Sequence, residues 1–249
     1  MFGFIRKLFG KNEQEAPVPS ENPTALEETV NTEKLPVKVP FVGNGDLVRS
    51  GAMLRLNVMT VADCHGNLME REITEKWEEA DGKIDAVFLL GDNTVDDIEC
   101  VLSRVPRNIP VFGIVGNHDQ QDIFEANPNW EVTNVHKKVV EGDFKIGGYG
   151  GCIKYKNGGT YYMLHTNEES IRELGQMPYV DILITHDKPC FSEPETLNSR
   201  SGLIGIASYI YEVKPKAVIH GHLHDRSIKR LGDTYIRCCY KVEVFSVDL

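Results

Sequence analysis

The chain has 249 residues, of which 41% are hydrophobic, and its formal net charge is −10 at pH 7. This length and composition suffice for one domain with a full core. The sequence contains no run of about 20 apolar residues, the length that would be needed to span a bilayer. The acidic balance disfavours strong binding to nucleic acid, because contacts to a phosphate backbone need clustered lysine and arginine side chains.

The N-terminal residues form two segments of different composition. Residues 1–11 combine Phe2, Phe4, Ile5, Leu8 and Phe9 with Arg6, Lys7 and Lys11. They predict either a disordered tail or a short basic amphipathic helix that docks weakly on an anionic membrane surface or a partner. Residues 12–50 are rich in Glu, Pro, Asn and Thr, which predicts a flexible linker. The folded domain is therefore predicted to span residues 51–249.

The first half of this domain alternates strands and helices. Hydrophobic runs predict strands at Leu56–Ala62, Ala86–Leu90 and Val111–Val115, and amphipathic patterns predict helices at Leu68–Ala80 and Val95–Arg104. This βαβ pattern is typical of a parallel sheet with helices packed on it.

The second half begins with alternating segments that are broken by glycines. Strands are predicted at Val132–Val140, Phe144–Tyr149, Thr160–Leu164, Ile182–Thr185 and Ala217–His220, with helices at Glu168–Met177 and Ile204–Glu212. Short strands follow at Ser227–Leu231, Thr234–Cys238 and Val242–Val247, the first two joined by a turn at Gly232-Asp233. The whole pattern predicts an α/β protein with two β-sheets flanked by helices.

Five short polar clusters follow the hydrophobic runs: Asp63-Cys64-His65, Gly91-Asp92-Asn93, Gly116-Asn117-His118-Asp119, Thr185-His186 and Gly221-His222-Leu223-His224. Each alone is ordinary turn chemistry, but open α/β sheets gather ligands at the carboxyl ends of their strands, so the clusters are predicted to converge. In the Asp-x-His and His-x-His pairs, an extended backbone would direct both side chains to one side. Carboxylate and imidazole groups suit divalent ions such as manganese or zinc.

In order and composition, the five clusters resemble the calcineurin-like metallophosphoesterase family, whose pattern is D-x-H, G-D, G-N-H-[DE], a lone His and G-H-x-H. The resemblance extends from about Leu54 to the C-terminus. It implies a metal-dependent phosphoric ester hydrolase whose fold is a four-layer α/β/β/α sandwich of two mixed β-sheets.

The resemblance also implies a role for each matching residue. Asp63, His65 and His224 would hold one divalent ion, Asn117, His186 and His222 would hold the other, and Asp92 would bridge the two. Mn²⁺ is the favoured ion, with Zn²⁺, Fe²⁺ and Ni²⁺ as alternatives. His118 would contact the phosphate and protonate the leaving oxygen, and Asp119 would orient its ring.

Two cations about 3.5–4 Å apart can lower the pKa of a bridging water enough to yield hydroxide at neutral pH, and they can stabilise an in-line displacement at phosphorus. The predicted reaction is hydrolysis of a phosphodiester or phosphomonoester, with a small nucleotide-like substrate. Two alternatives stay open, a Ser/Thr-type protein phosphatase and a catalytically weak, metal-stabilised protein-interaction module. The first is disfavoured because no arginine follows Asp92 closely enough to hold phosphate.

The remaining candidate residues are predicted to have structural rather than catalytic roles. His136, His165 and His220 are predicted at the surface or at strand ends rather than as ligands. Asp187 either supports the preceding histidine or forms a turn before Lys188-Pro189. The six cysteines show no C-x-x-C spacing and the sequence has no secretory signal, which predicts reduced thiols and a cytoplasmic location. Cys64 is predicted to pack in the core or at its rim.

Overall fold

The computed structural model describes residues 55–156 and 163–249, which form two large β-sheets, one small two-stranded sheet and four α-helices. The predictions for the segments 1–11 and 12–50, and most of the strand predicted at Thr160–Leu164, lie outside those residues. Within the described part of the chain, none of the helices has both the length and the apolar character needed to cross a membrane.

The first sheet is built mainly by the first half of the domain. Its elements are β1 (Arg55–Ala62), α1 (Glu70–Glu79), β2 (Ala86–Leu89), α2 (Val95–Arg104), β3 (Val111–Gly113) and β4 (Val132–Asn134), joined by the last strand, β13 (Lys241–Asp248). The strand order is β13-β1-β2-β3-β4, in which β1 to β4 are parallel and β13 is antiparallel to β1. A 3₁₀ turn, Pro128–Trp130, precedes β4.

The second sheet is built by the second half. It contains β5 (Val139–Glu141), β6 (Lys145–Tyr149), β9 (Ile182–Thr185), β10 (Ala217–His220), β11 (Ser227–Leu231) and β12 (Thr234–Cys238), in the order β11-β12-β10-β9-β6-β5. A small separate sheet pairs β7 (Cys152–Ile153) with β8 (Leu164–His165), and the helices are α3 (Asn167–Leu174) and α4 (Ile204–Val213). Strands β6, β9, β10 and β12 are parallel, so their carboxyl ends lie at one edge.

Three hydrophobic cores separate four layers, as the predicted α/β/β/α sandwich requires. Alternate residues of β1 face opposite ways, so Leu56 and Val58 pack in the core between the sheets, whereas Met59 and Val61 pack against the helices of the first half. The outer face of the second sheet packs against α3 and α4 in the third core, to which Leu183 and Ile206 belong. The predicted fold class is confirmed.

The prediction of a single strand at Val132–Val140 is wrong, because this stretch forms two strands that belong to different sheets. Val132–Asn134 pairs with β3, and Val139–Glu141 pairs with β6. The chain passes between the sheets at Lys137, which has a left-handed φ of 55° and donates its amide to the Gly148 carbonyl (2.8 Å). Hydrophobic alternation continues through this crossing, so the sequence pattern did not reveal the break.

Candidate metal centre

The predicted ligands of the Asp-x-His and His-x-His clusters lie on tight loops rather than on extended backbone. Asp63 and His65 follow β1 with φ of 55° and 50°, His222 and His224 follow β10 with φ of 68° and 52°, and Asp92 follows β2 with φ of 54°. The explanation that an extended backbone aligns each pair is therefore wrong, because these residues adopt left-handed conformations. The side chains are brought together by tightly curved loops.

Hydrogen bonds tie the loops after β1 and β2 together. The Asp63 amide donates to the Gly91 carbonyl (3.1 Å), and the His65 amide donates to the Asp92 carbonyl (3.1 Å). Gly91 has a φ of +90°, and a Cβ atom at this position would lie 2.5 Å from the Gly116 amide nitrogen. Glycine is therefore required where the loops after β2 and β3 meet.

Asp63, His65 and His224 form the first of two groups whose potential ligand atoms lie close together. His65 Nε2 lies 3.3 Å from His224 Nε2, and His224 Nε2 lies 3.7 Å from Asp63 Oδ1. Ligand atoms bound about 2.1 Å from one ion are about 3–3.5 Å apart, so these separations suit a shared ion. Asp63 Oδ2 accepts a hydrogen bond from the His222 amide (2.8 Å), which turns Oδ1 towards the histidines.

Asp92, His186 and His222 form the second group. His186 Nε2 lies 3.1 Å from His222 Nδ1 and 3.4 Å from Asp92 Oδ2. The amide oxygen of Asn117 completes the cluster at 3.1 Å from the same nitrogen. The structure thus brings together all seven predicted metal ligands, in the two groups that the resemblance implied.

Asp92 lies between the two groups and uses its carboxylate oxygens for different purposes. Oδ1 accepts a hydrogen bond from the His118 amide (2.8 Å), which fixes the orientation of the carboxylate. Oδ2 lies 3.4 Å from His186 Nε2 in one group and 3.9 Å from His65 Nε2 in the other. One oxygen atom therefore faces both groups.

The two most enclosed histidines of the ligand groups are oriented from behind by carbonyl groups. His186 Nδ1 lies 2.8 Å from the Leu90 carbonyl oxygen, and His222 Nε2 lies 2.6 Å from the Ser199 carbonyl oxygen. A carbonyl can only accept, so each contact places a proton on that nitrogen, and in the neutral ring the opposite nitrogen directs its lone pair into the site.

The electrostatics of the centre suit a positive ion. Burial raises the pKa of Asp63 to about 7, against the opposing charge of His186. Its Oδ1 atom is buried and, among the described residues, has no hydrogen-bond partner. Burial also disfavours charge on Asp92 and His186, but their mutual attraction outweighs it, lowering the pKa of Asp92 and raising that of His186 to about 10. A divalent ion would take the place of the His186 proton and would bind the unpartnered oxygen of Asp63.

The other histidines of the two groups are neutral at pH 7. Burial lowers the pKa of His222 to about 4 and also lowers the pKa values of His65 and His224. The positive charges of His186 and Arg200 add to this effect on His224, and the charge of Asp92 opposes it. A neutral ring is the form of histidine that binds a metal ion, so the donor set fits the divalent cations that the sequence predicted.

His118 and Asp119 occupy different environments. His118 is exposed at the mouth of the centre, with its ring centroid 5.3 Å from that of His65 in an edge-on arrangement. Asp119 is buried, and its Oδ2 accepts hydrogen bonds from the amides of Asp92 and Gly116 (both 2.7 Å). The Asp119 carboxylate therefore joins the loops after β2 and β3, and its predicted role in orienting the His118 ring stays a prediction.

The histidines outside the pattern belong to neither group. His165 and His220 end β8 and β10, and both are buried, so the strand-end prediction is confirmed and a surface location is wrong. His136 accepts a hydrogen bond from the Gly150 amide through Nδ1 (2.9 Å). Among the described residues, only the two groups given above bring three potential metal ligands close together.

Two other predictions concern residues beside the ligands. Asp187 accepts from the Ile153 and Lys188 amides (2.9 and 2.8 Å), so its carboxylate joins β7 to the backbone that follows His186. Cys64 is 2% exposed and packs in the core on the helix side of the first sheet, as predicted.

Sequence reasoning missed two residues that support the centre. The Tyr240 ring stacks on His224, with centroids 5.1 Å apart and planes inclined by 14°. Asp97 accepts from the amides of Gly66 and Leu68 (2.7 and 3.0 Å), which holds the loop that follows His65. The Thr94-x-x-Asp97 capping box was a readable signal for Asp97, whereas nothing in the sequence pointed to Tyr240.

Comparisons with known proteins place this arrangement in a class. Residues 56–238 match the calcineurin-like phosphoesterase superfamily domain. The four-layer fold and the two ligand groups define a metal-dependent phosphoester hydrolase. The chain belongs to the calcineurin-like phosphoesterase superfamily.

Solved structures show the same fold at low sequence identity. The protein TT1561 of Thermus thermophilus is 17% identical, with a TM-score of 0.50 over 76% of this chain and 98% of its own. The calcineurin-like phosphoesterase YfkN from Bacillus subtilis is 12% identical, with a TM-score of 0.51 over 79% of this chain and 86% of its own. No curated protein sequence matches the chain.

Proposed function

We propose that this protein is a dinuclear phosphoesterase that hydrolyses a phosphodiester or phosphomonoester of a small, nucleotide-like molecule, with Mn²⁺ as the favoured ion. The position of Asp92 is the observation that carries the proposal, because its Oδ2 faces His186 at 3.4 Å and His65 at 3.9 Å. A carboxylate in that position can serve both ligand groups at once. When bound, two divalent cations would supply Lewis acidity and a water of lowered pKa.

The protein side chains have complementary tasks in this proposal. The seven ligands fix the positions of the ions, and the carbonyls behind His186 and His222 fix the ring orientations. His118 is exposed beside the centre, where it can reach the leaving oxygen of a bound ester and donate a proton to it. Such proton donation typically contributes a rate factor of about 10²–10⁴.

The test combines metal analysis with hydrolysis. The purified chain would be reconstituted with Mn²⁺, the ions per chain counted by mass spectrometry, and the hydrolysis of bis-p-nitrophenyl phosphate and p-nitrophenyl phosphate measured. The Asp92→Asn variant should lose metal and activity, whereas Asp96→Asn, which changes an exposed carboxylate on α2, should keep both. Equal rates in the wild type and Asp92→Asn would instead favour the interaction module.

A further inference from the structure

A cavity of about 390 Å³ lies beside the metal centre. Its walls come from the segment 188–201, from the residues next to His222 and from strands β11 and β12. Ligand sites in proteins commonly have volumes of about 300–1,000 Å³, so the cavity can hold a phosphate together with an organic group of nucleoside size.

Positive charge dominates the walls of this cavity. Lys188, Arg200 and Lys229 line it, and no carboxylate of the described residues does. The whole chain has 37 acidic and 27 basic residues, so this local balance is opposite to the composition. In the described part of the chain, none of these three cationic side chains forms an ion pair. By contrast, the nearby Arg226 and Arg237 both pair with Glu243.

The segment that carries Arg200 is connected directly to the metal centre. Asn198 and Ser201 form a tight turn, in which the Ser201 amide donates to the Asn198 carbonyl (3.0 Å) and the Arg200 amide donates to Asn198 Oδ1 (2.9 Å). The carbonyl of the residue between them, Ser199, lies 2.6 Å from His222 Nε2. The turn that presents Arg200 to the cavity is thus fastened to a predicted metal ligand.

Backbone hydrogen bonds also join the two ends of the same segment. The Leu203 amide donates to the Lys188 carbonyl (3.0 Å), and the Cys190 amide donates to the Leu203 carbonyl (3.1 Å). Gly202, with a φ of +81°, permits this closure because a Cβ atom there would lie 2.8 Å from Lys188 Cγ. The backbone of Lys188 is therefore fixed where the two ends of the segment meet.

We propose that this cavity binds a second anionic group of the substrate, a phosphate that is not hydrolysed, together with the organic group that carries it. The proposal rests on the proposed function, because it places the ester to be cleaved at the neighbouring centre. Lys188, Arg200 and Lys229 would bind the second phosphate, and the apolar side chains of Phe191 and Leu223 would contact the organic group.

The experiment compares two substrates that differ by one phosphate. Both are p-nitrophenyl esters of a thymidine 5′-phosphate, and one of them carries an additional 3′-phosphate. Release of p-nitrophenolate reports on both with the same leaving group. The Mn²⁺-loaded wild type should have a kcat/KM about 10-fold or more higher for the substrate with two phosphates, mainly through KM.

Variants assign this preference to the cavity. Lys229→Gln and Arg200→Gln should each reduce the ratio of the two kcat/KM values by about 3- to 10-fold. Arg230→Gln is the matched control, because Arg230 neighbours Lys229 on β11 but lies over the Tyr235 ring (5.7 Å) and does not line the cavity. It should keep the wild-type ratio. A wild-type ratio near 1, or an equal reduction in all three variants, would overturn the proposal.

A binding measurement separates the proposal from catalysis. Calorimetry would compare thymidine 5′-phosphate with thymidine 3′,5′-bisphosphate on the metal-loaded wild type and on Lys229→Gln. Tighter binding of the bisphosphate, lost in the variant, would support the subsite even if neither ester were hydrolysed. Equal affinities would refute it. The alternative is that the cavity is a site for free phosphate. In that case inorganic phosphate would change the hydrolysis rate of the one-phosphate ester in the wild type but not in Lys229→Gln, and neither protein would prefer one ester over the other. This result would also overturn the proposal.

Discussion

Replacing Asp63 by Asn should stabilise the protein when no metal is bound. Burial raises the pKa of this carboxyl group from an ordinary 3.8 to about 7, and its Oδ1 atom is buried without a hydrogen-bond partner among the described residues. The difference corresponds to about 4 kcal/mol of unfavourable free energy for the ionised group. Asparagine has nearly the same shape, and its oxygen can keep the hydrogen bond from the His222 amide.

The pH dependence gives the sign of this effect. The folded protein holds the Asp63 proton more tightly than the unfolded chain, so the stability contributed by this group falls as the pH rises from about 4 to about 7 and stays low above that. Between pH 5 and pH 8.5, the free energy of unfolding of Asp63→Asn should therefore rise relative to the wild type by about 2–3 kcal/mol. Comparing two pH values cancels the effects of asparagine that do not depend on ionisation.

Urea unfolding in EDTA, followed by tryptophan fluorescence, would measure these differences. The control is Asp233→Asn in the exposed β11–β12 turn, which should change stability by less than about 0.5 kcal/mol at both pH values. With Mn²⁺ added, the order should reverse at pH 8.5, because the wild type gains binding energy that the variant has lost. A relative stability of Asp63→Asn that does not change with pH would refute the reasoning.

Three further substitutions test individual parts of the centre. Asp92→Asn should weaken the binding of both ions, and metal analysis that shows loss of only one would contradict the bridging role. His118→Ala should reduce turnover by about 10²–10⁴-fold with the metal content unchanged, so loss of both ions would overturn its assignment. Gly116→Ala should lower metal content, because a Cβ atom would lie 2.1 Å from Asp92 Oδ1. Gly142→Ala, where the nearest atom is 3.6 Å away, should leave it unchanged.

The sequence predicted individual strands and helices well because their patterns are local, whereas the four-layer arrangement and the set of candidate ligands came from the family resemblance. Buried strands such as Ile182–Thr185 are continuous hydrophobic runs, and helix α2 has a capping box at its start, so the bounds of both were predicted without error. The polar clusters could be located because each one follows a strand of this kind. The shared edge of parallel strands then brings distant clusters together.

What the sequence did not predict depends on contacts between distant segments. The crossing at Lys137 is set by its hydrogen bond to Gly148 in the other sheet, and no local pattern encodes that partner. The stacking of Tyr240 on His224 and the contact from Ser199 to His222 likewise join residues that lie apart in the sequence. The cavity beside the centre could not be predicted for the same reason, since its cations come from separate segments.

The left-handed backbone of the ligands adds a reason why these residue types occur here. Of the eleven non-glycine residues with positive φ in the described chain, five are predicted ligands. Asp and His enter this region more readily than most side chains, and they are also ligands for divalent ions, so one choice of residue meets both needs. Such conformations still cost about 1–3 kcal/mol each, and the same loops contain the unpartnered oxygen of Asp63. Bound ions would offset both effects at the same side chains, so metal binding and stability should be coupled more strongly here than anywhere else in the described fold.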